Sequence, residues 1–217
     1  MMHRQRAAKN FAQHRVLFDE TQDMLSERLG DVKRKFESVM HMSRQEEESL
    51  PFAPESFDLI RSSLSLHWVN DLPGVLAQIK AALKPEGLFM AALLGGNTLH
   101  ELRGCLLEAE LAVTGGVSPR VSPSISLPMA ADLLQRAGFA LPVADQDTIT
   151  MTYSDMWCLM RDIRGMGGSN ASAERSRHFT RRAVFTEAAR LYQERYALPN
   201  GRISATFDVI FLHGWKG

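Results

Sequence analysis

The sequence has little of what marks a secreted, membrane-spanning or nucleic-acid-binding chain. Among 217 residues there are two cysteines, Cys105 and Cys158. Both fall in helical patterns, which fits free thiols in a reducing compartment rather than a disulfide framework. No apolar run approaches the roughly 20 residues that cross a bilayer. Neither sign of charge dominates, since 25 Lys and Arg balance 25 Asp and Glu, so no global field draws nucleic acid or an anionic membrane. The seven histidines show no paired helical spacing and neither cysteine has a second one nearby, so no metal site is expected. No Gly-x-Ser-x-Gly nucleophile elbow and no phosphate-binding P-loop occurs, which leaves no sign of hydrolase or kinase chemistry. Internal repeats and low-complexity tracts are absent as well.

What is there reads as a soluble globular chain. Hydrophobic content of 45% and charged content of 23% are ordinary, and the length suffices to bury a core. Met1 to Phe18 carries Arg4, Arg6, Lys9 and Arg15 without an acidic residue, a composition shared with mitochondrial presequences. It contains no serine, however, and runs straight into a helical pattern (Phe18, Met24, Leu25, Leu29, Val32), so a basic, solvated helix is the reading preferred here. Residues 4–36 are expected to form one or two helices with a break at Gly30-Asp31. Glu37 to Ser49 has no clear period and moves from Met-His-Met to three consecutive glutamates, a loop or the remnant of a strand.

From Leu50 onward the pattern is that of the second half of a doubly wound α/β domain. Phe57–Leu66 is an apolar strand, followed by His67-Trp68-Val69 and a helix opening at Asn70-Asp71-Leu72-Pro73. A Lys84-Pro85-Glu86-Gly87 turn leads to a second apolar strand, Leu88–Leu94. Asn97 or Thr98 is then a candidate cap for an amphipathic helix carrying Leu99, Leu102, Leu106, Ala109 and Val113. A Ser/Pro-rich loop (117–128), a helix over Met129–Ala137 closed by Gly138, and an alternating strand over 141–152 follow. Two further helices (Asp155–Arg164 and Arg181–Tyr196) flank a glycine-containing loop, and Ile203–Gly214 is the last strand. Between Lys35 and Leu50 there is no room for a βαβ unit, which takes roughly 30 residues.

In folds of this class ligands bind at the carboxyl ends of the parallel strands. Here that end is Ser65-Leu66-His67-Trp68. His67 and Trp68 are either packing residues at a strand-to-helix junction or parts of a site. In the second case His67 is the proton-handling or substrate-orienting side chain, because an unshifted imidazole titrates near neutrality, and Trp68 an aromatic wall. Arg164-Gly165-Met166-Gly167-Gly168 follows a helix rather than a strand, so it reads as a turn and not a phosphate cradle. Glu46-Glu47-Glu48 reads as a solvated loop.

The run EEESLPFAPESFDLIRSSLSLHWVNDLPGVLAQIKAALKPEGLFMAALLGGNTLHELR (46–103), with GGVSPRVSP (115–123), QRAGFA (135–140), RDIRGMGGSNA (161–171) and GWK (214–216), resembles the class I S-adenosylmethionine-dependent methyltransferases of the type-11 group. Within them it resembles the subfamily of the mitochondrial complex I assembly factor with a methyltransferase fold and its alphaproteobacterial relatives. RQRAAKNF (4–11) and SERLGDVKRKF (26–36) are similar to that subfamily's leading helices.

The resemblance implies a Rossmann-like class I methyltransferase fold with sheet order 3-2-1-4-5-7-6, N-terminal helices over 1–36 and C-terminal antiparallel strands. In that family a glycine-rich motif after strand 1 approaches the cofactor's methionine portion, and an acidic residue after strand 2 holds the ribose. Both are absent here, so the fold is expected to be incomplete: 46–217 would hold strands 4–7 with their helices, and strands 1 and 2, with strand 3, would be missing. Phe57–Leu66 then becomes an edge strand whose one charge in the middle, Arg61, gives little edge protection. Bare apolar faces, marginal stability, aggregation or dependence on a partner are expected to follow. What the resemblance leaves of the S-adenosylmethionine site is Glu47 and Leu50 near the adenine, Ser63 and Leu64 at the end of strand 4, and His67 as catalytic base, with no metal. The implied function is modification of a protein side chain, by methyl transfer or hydroxylation, during assembly of mitochondrial respiratory complex I. The alternatives are a non-catalytic assembly factor that binds a complex I subunit and a non-functional isoform. Partners are a protein substrate or complex I subunit, without nucleic acid or a transmembrane segment and with peripheral association to a membrane. A lost internal block fits a splice or gene-model product, which points to a eukaryote and to the matrix side of the inner mitochondrial membrane; a bacterial source would place the chain in the cytoplasm.

Overall fold

The structure, a computed structural model, describes all residues except 1–10, 43–49, 123, 171, 173, 174 and 176–178. The chain divides into two compact units. A sheet unit comprises residues 17–96, 124–147 and 208–217, and a helical unit comprises residues 1–16, 97–123 and 148–207. Elements in chain order are α1 (Val16–Gly30), β1 (Val39–Met42), β2 (Phe57–Ser63), α2 (Leu72–Ala82), β3 (Leu83–Leu94), α3 (His100–Thr114), α4 (Leu127–Arg136), β4 (Ala140–Tyr153), α5 (Met156–Gly165), α6 (Arg182–Tyr196) and β5 (Ile203–Trp215). Among the described residues no helix is long and apolar enough to cross a membrane.

The sheet runs in the order β1-β2-β3-β5-β4. β1 is parallel to β2 and β2 to β3, whereas β5 is antiparallel to β3. A parallel pair needs a crossover, and α2 supplies the one between β2 and β3. It starts where the sequence says it should: Asp71 accepts a hydrogen bond from the Gly74 N–H at 3.0 Å, with Pro73 in the first turn. Val75, Leu76, Ile79 and Ala82 are its buried face. They pack with Ala130 and Leu134 of α4 against Ile60, Phe89, Ala91, Leu93, Ile210 and Leu212 on one side of the sheet. Gly138, at φ +76°, closes α4.

The opposite side is not bare, which corrects one expectation. Leu59, Leu88, Met90, Ala92, Val209 and Phe211 are buried, as are Leu17 and Leu25 of α1. The Arg28 guanidinium of α1 lies 3.7 Å from the centroid of the Phe211 ring and is ion-paired to Asp145 at 2.6 Å. Its long stem therefore covers apolar sheet while its charge is held by carboxylates.

A second correction concerns β2, which is not an edge. Val39–Met42 pairs with Leu59–Ser62, so a short strand stands where the family pattern has strand 1. A carboxylate fastens it: Asp58 accepts from the Ser38 N–H at 2.9 Å and from Lys84 Nζ at 3.2 Å. The observed order corresponds to 1-4-5-7-6, and only strands 2 and 3 lack counterparts among the described residues. The exposed-edge argument for aggregation falls with this finding.

Smaller differences have local causes. The expected turn at 84–87 is absorbed into β3 as an irregularity between Phe57 and Leu59 of its partner, with Glu86 at φ +59°. Asn97 and Thr98 do not cap α3. Leu99, at φ +54°, is the cap residue, and its N–H is bound by the Thr206 carbonyl of β5 at 2.7 Å. α1 stops at Gly30, so 31–36 is not helical.

Candidate functional site at the carboxyl ends of the parallel strands

Because β1 and β2 are parallel, their carboxyl ends, at Met42 and Ser63, open on the same edge of the sheet, the place where this class of fold binds ligands. β2 ends in a run of small hydroxyls. Ser62 and Ser65 share a hydrogen bond of 2.7 Å between their Oγ atoms. Ser63 is 5% exposed, and its Oγ has no hydrogen-bond partner among the described residues. A buried hydroxyl without a partner costs free energy, and a ligand atom that accepts its proton would recover it.

Leu64 follows at φ +48°, a conformation costing on the order of 1–3 kcal/mol for a residue of this kind. It is locked by the bond from its N–H to the Ala92 carbonyl of β3 at 2.9 Å. That bend ends the strand and starts the 3-10 helix Leu66–Trp68, with Ser65 just before it making no side-chain cap bond. Leu66 turns into the core. His67 and Trp68 are half-buried with ring centroids 5.0 Å apart. Three of the expected site residues, Ser63, Leu64 and His67, thus lie in one five-residue corner.

The other two fare differently. Leu50 is 9% exposed and its side chain belongs to the core with Met42, Ile60 and Leu76. Its N–H donates to Gln78 Oε1 at 3.0 Å, so it offers a ligand little more than backbone. Glu47 lies outside the described residues. The Ser62–Ser65 bridge, which shapes the corner, was not read from the sequence; its signal was the repeated serine at a spacing of three just before a helix.

Chemically, the corner supplies a buried hydrogen-bond donor and an imidazole. It does not supply the remainder of a nucleoside site. No glycine occurs between Gly30 and Gly74, so every residue that follows β1 carries a Cβ where the family's backbone closes on its cofactor. Among the described residues β1 is also the last strand on its side of the sheet, and none of them forms a neighbouring strand end with a ribose-binding carboxylate. The described residues do not fit S-adenosylmethionine in the manner of the family.

Comparison with known proteins bears on the origin of these features. The family described as a methyltransferase domain, type 11, matches residues 4–91. The chain is 47% identical over 171 residues to the protein named "Arginine-hydroxylase NDUFAF5, mitochondrial" of Mus musculus, covering 79% of this chain and 50% of that one. The zebrafish (Danio rerio) protein of the same name is 44% identical over 171 residues, 79% of this chain and 53% of its own. A malonyl-[acyl-carrier protein] O-methyltransferase of Xylella fastidiosa (strain M23) is 38% identical over 167 residues, with 77% and 54% covered. The chain thus spans about half the length of the curated relatives it matches. With the sheet order 1-4-5-7-6 and the β2 corner in view, the chain is similar over residues 4–91 to the type-11 methyltransferase domain and over about 170 residues to the mitochondrial arginine hydroxylases and to a malonyl-[acyl-carrier protein] O-methyltransferase.

Proposed function

We propose that the chain acts in the assembly of mitochondrial respiratory complex I, where it engages a protein subunit and takes part in modifying one of its side chains, an arginine. The observation that carries this reading is the 44–47% identity to the arginine hydroxylases over 171 residues. The β2 corner supports it: Ser63 Oγ is a buried donor without an acceptor among the described residues, and His67, four residues further along the chain, is the candidate base for a side-chain proton. The proposed setting is the matrix side of the inner membrane, with peripheral association.

One observation favours a second reading, that of a non-catalytic assembly factor which binds the subunit. β1 is followed by no glycine until Gly74, which removes the turn that the family uses for its cofactor.

Titration calorimetry of the purified chain with S-adenosylmethionine, beside a melting curve, separates the two. Micromolar binding and a mass increase of a subunit arginine on incubation would support the enzyme. A folded sample that binds no cofactor but captures the subunit would support the second reading. A folded sample that does neither overturns both.

A further inference from the structure

The helical unit holds a cavity of about 230 Å³ that the chemistry above does not use. Its floor is apolar and comes from two helices: Leu102 and Leu106 on α3 and Ile163 on α5. Its rim carries Arg120, Arg164 and Ser169. Among the described residues no carboxylate lines it.

The two arginines are in different electrostatic states. Arg120 is held by Glu110, which is 6% exposed. Its Nε donates to Glu110 Oε2 at 3.0 Å, its Nη2 donates to Oε1, and its Nη1 donates to Thr180 Oγ1 at 2.6 Å. Ser118 gives Glu110 two further bonds, from its N–H and its hydroxyl, each 3.0 Å from Oε2. The carboxylate is therefore fully engaged and the charge of Arg120 balanced, so this pair fixes the loop rather than drawing a ligand. Arg164 sits in the last turn of α5, where the helix end favours a cation. No ion pair of Arg164 is found among the described residues, which leaves it as the cation offered to a ligand at the mouth.

The loops around it are built to hold that arrangement. The side-chain amide of Asn170 donates to the Pro119 carbonyl at 2.8 Å, and its Oδ1 accepts from the Ser172 N–H at 2.9 Å, which clips the 167–170 turn onto the 119–122 loop. Gly168 permits the approach, because a Cβ there would lie 3.0 Å from Ile163 Cγ2.

We infer that this cavity binds a small amphipathic anion, an unbranched apolar chain with a carboxylate or phosphate head. The chain fills the leucine-lined floor, and Arg164 and the Ser169 hydroxyl take the head. At about 30 Å³ per water-sized group, the volume suits a tail of about eight carbons. A cation has no carboxylate to meet, and a neutral chain leaves the guanidinium unused. The site needs nothing from the β2 corner, so it stands or falls separately from the function proposed above.

The test is calorimetric titration of the full chain with octanoate, octyl phosphate and 1-octanol at fixed salt. Both anions are expected to bind about tenfold more tightly than octanol, and the tighter of the two identifies the head group. Arg164→Gln, at an exposed position, is expected to bring the anions down to the level of octanol without lowering Tm. Leu106→Trp, which fills the floor, should abolish binding of all three. The inference is overturned if folded protein binds none of them, if octanol binds as well as octanoate, or if Arg164→Gln leaves the anions unaffected.

Discussion

β3 shares seven paired positions with β5, from Leu88↔Trp215 to Leu94↔Val209, whereas it takes only four, Val39↔Leu59 to Met42↔Ser62, to join β1 to β2. The residues of the first pairing are almost all buried. Of β1 only Met42 is, and Val39 is 40% exposed. The outer pairing and the inner pairing of the same sheet therefore rest on different physics. The β3–β5 ladder is held by side-chain burial on both faces, while β1 is held by four backbone pairings and the polar fastening at Asp58. A short strand is enough to satisfy the N–H and C=O groups of β2, which is what a sheet edge requires. It is not enough to build a binding crevice, which requires a turn and a further strand beyond it.

The comparison breaks most sharply at Phe89. This ring is fully buried and stacks on Phe139 with centroids 5.4 Å apart. Phe89→Ala is expected to cost about 3–5 kcal/mol, read as a large drop in the urea midpoint with loss of hydrogen-exchange protection across β2, β3 and β5 together. Met42→Ala removes the one buried anchor of β1, and about 2 kcal/mol is expected. The difference in kind matters more than the difference in size. Exchange should accelerate over 39–42 and in the facing part of β2 while β3 and β5 stay protected, since local opening follows local contacts. Equal spread of protection loss in both variants would show that β1 is as integral to the sheet as β5.

Much of the sheet could be read from the residues. Leu88–Leu94 announces itself as a continuous apolar run, as buried parallel strands do, Phe57–Ser63 shows an apolar centre at Leu59-Ile60, and Asp71, Ser126, Asp155 and Gly138 mark helix ends through side-chain chemistry and backbone freedom that are local. β1 could be suspected only as a remnant. Val-Met-His-Met has no alternation, and its strand state depends on a partner, β2, and on a carboxylate at Asp58 that no local pattern reveals. The cap of α3 was missed for the same reason, because the acceptor for the Leu99 N–H is Thr206, far along the chain. In the site, the strand end Ser63–His67 was legible from its position. That Leu50 turns inward was not, since the next residues, Pro51 and Phe52, give no period from which to assign a face. The cavity around Arg164 could not be read as a site, because its lining comes from three separated segments of which only the glycine-containing turn at 164–168 stands out in the sequence.

The smallest expected effect is the most discriminating. Asp58 takes hydrogen bonds from the Ser38 N–H and from Lys84, and these hold its carboxyl below its ordinary range. Its folded pKa is depressed, so the stabilisation is present above the unfolded value of ~3.9 and is lost as pH falls through the folded value. Asp58→Asn keeps the shape but removes the charge, and about 1 kcal/mol is expected to be lost near neutral pH. Between the unfolded and folded pKa values the gap between variant and parent should narrow, because the parent then carries a proton there as well. Exchange at the Ser38 N–H should rise in the variant at pH 7 while that at Gly95, whose N–H is bound to Asp208 on the β5 side, stays as it is. If the gap does not narrow on acidification, β1 is held by its backbone pairing alone and Asp58 is no more than a surface charge beside it.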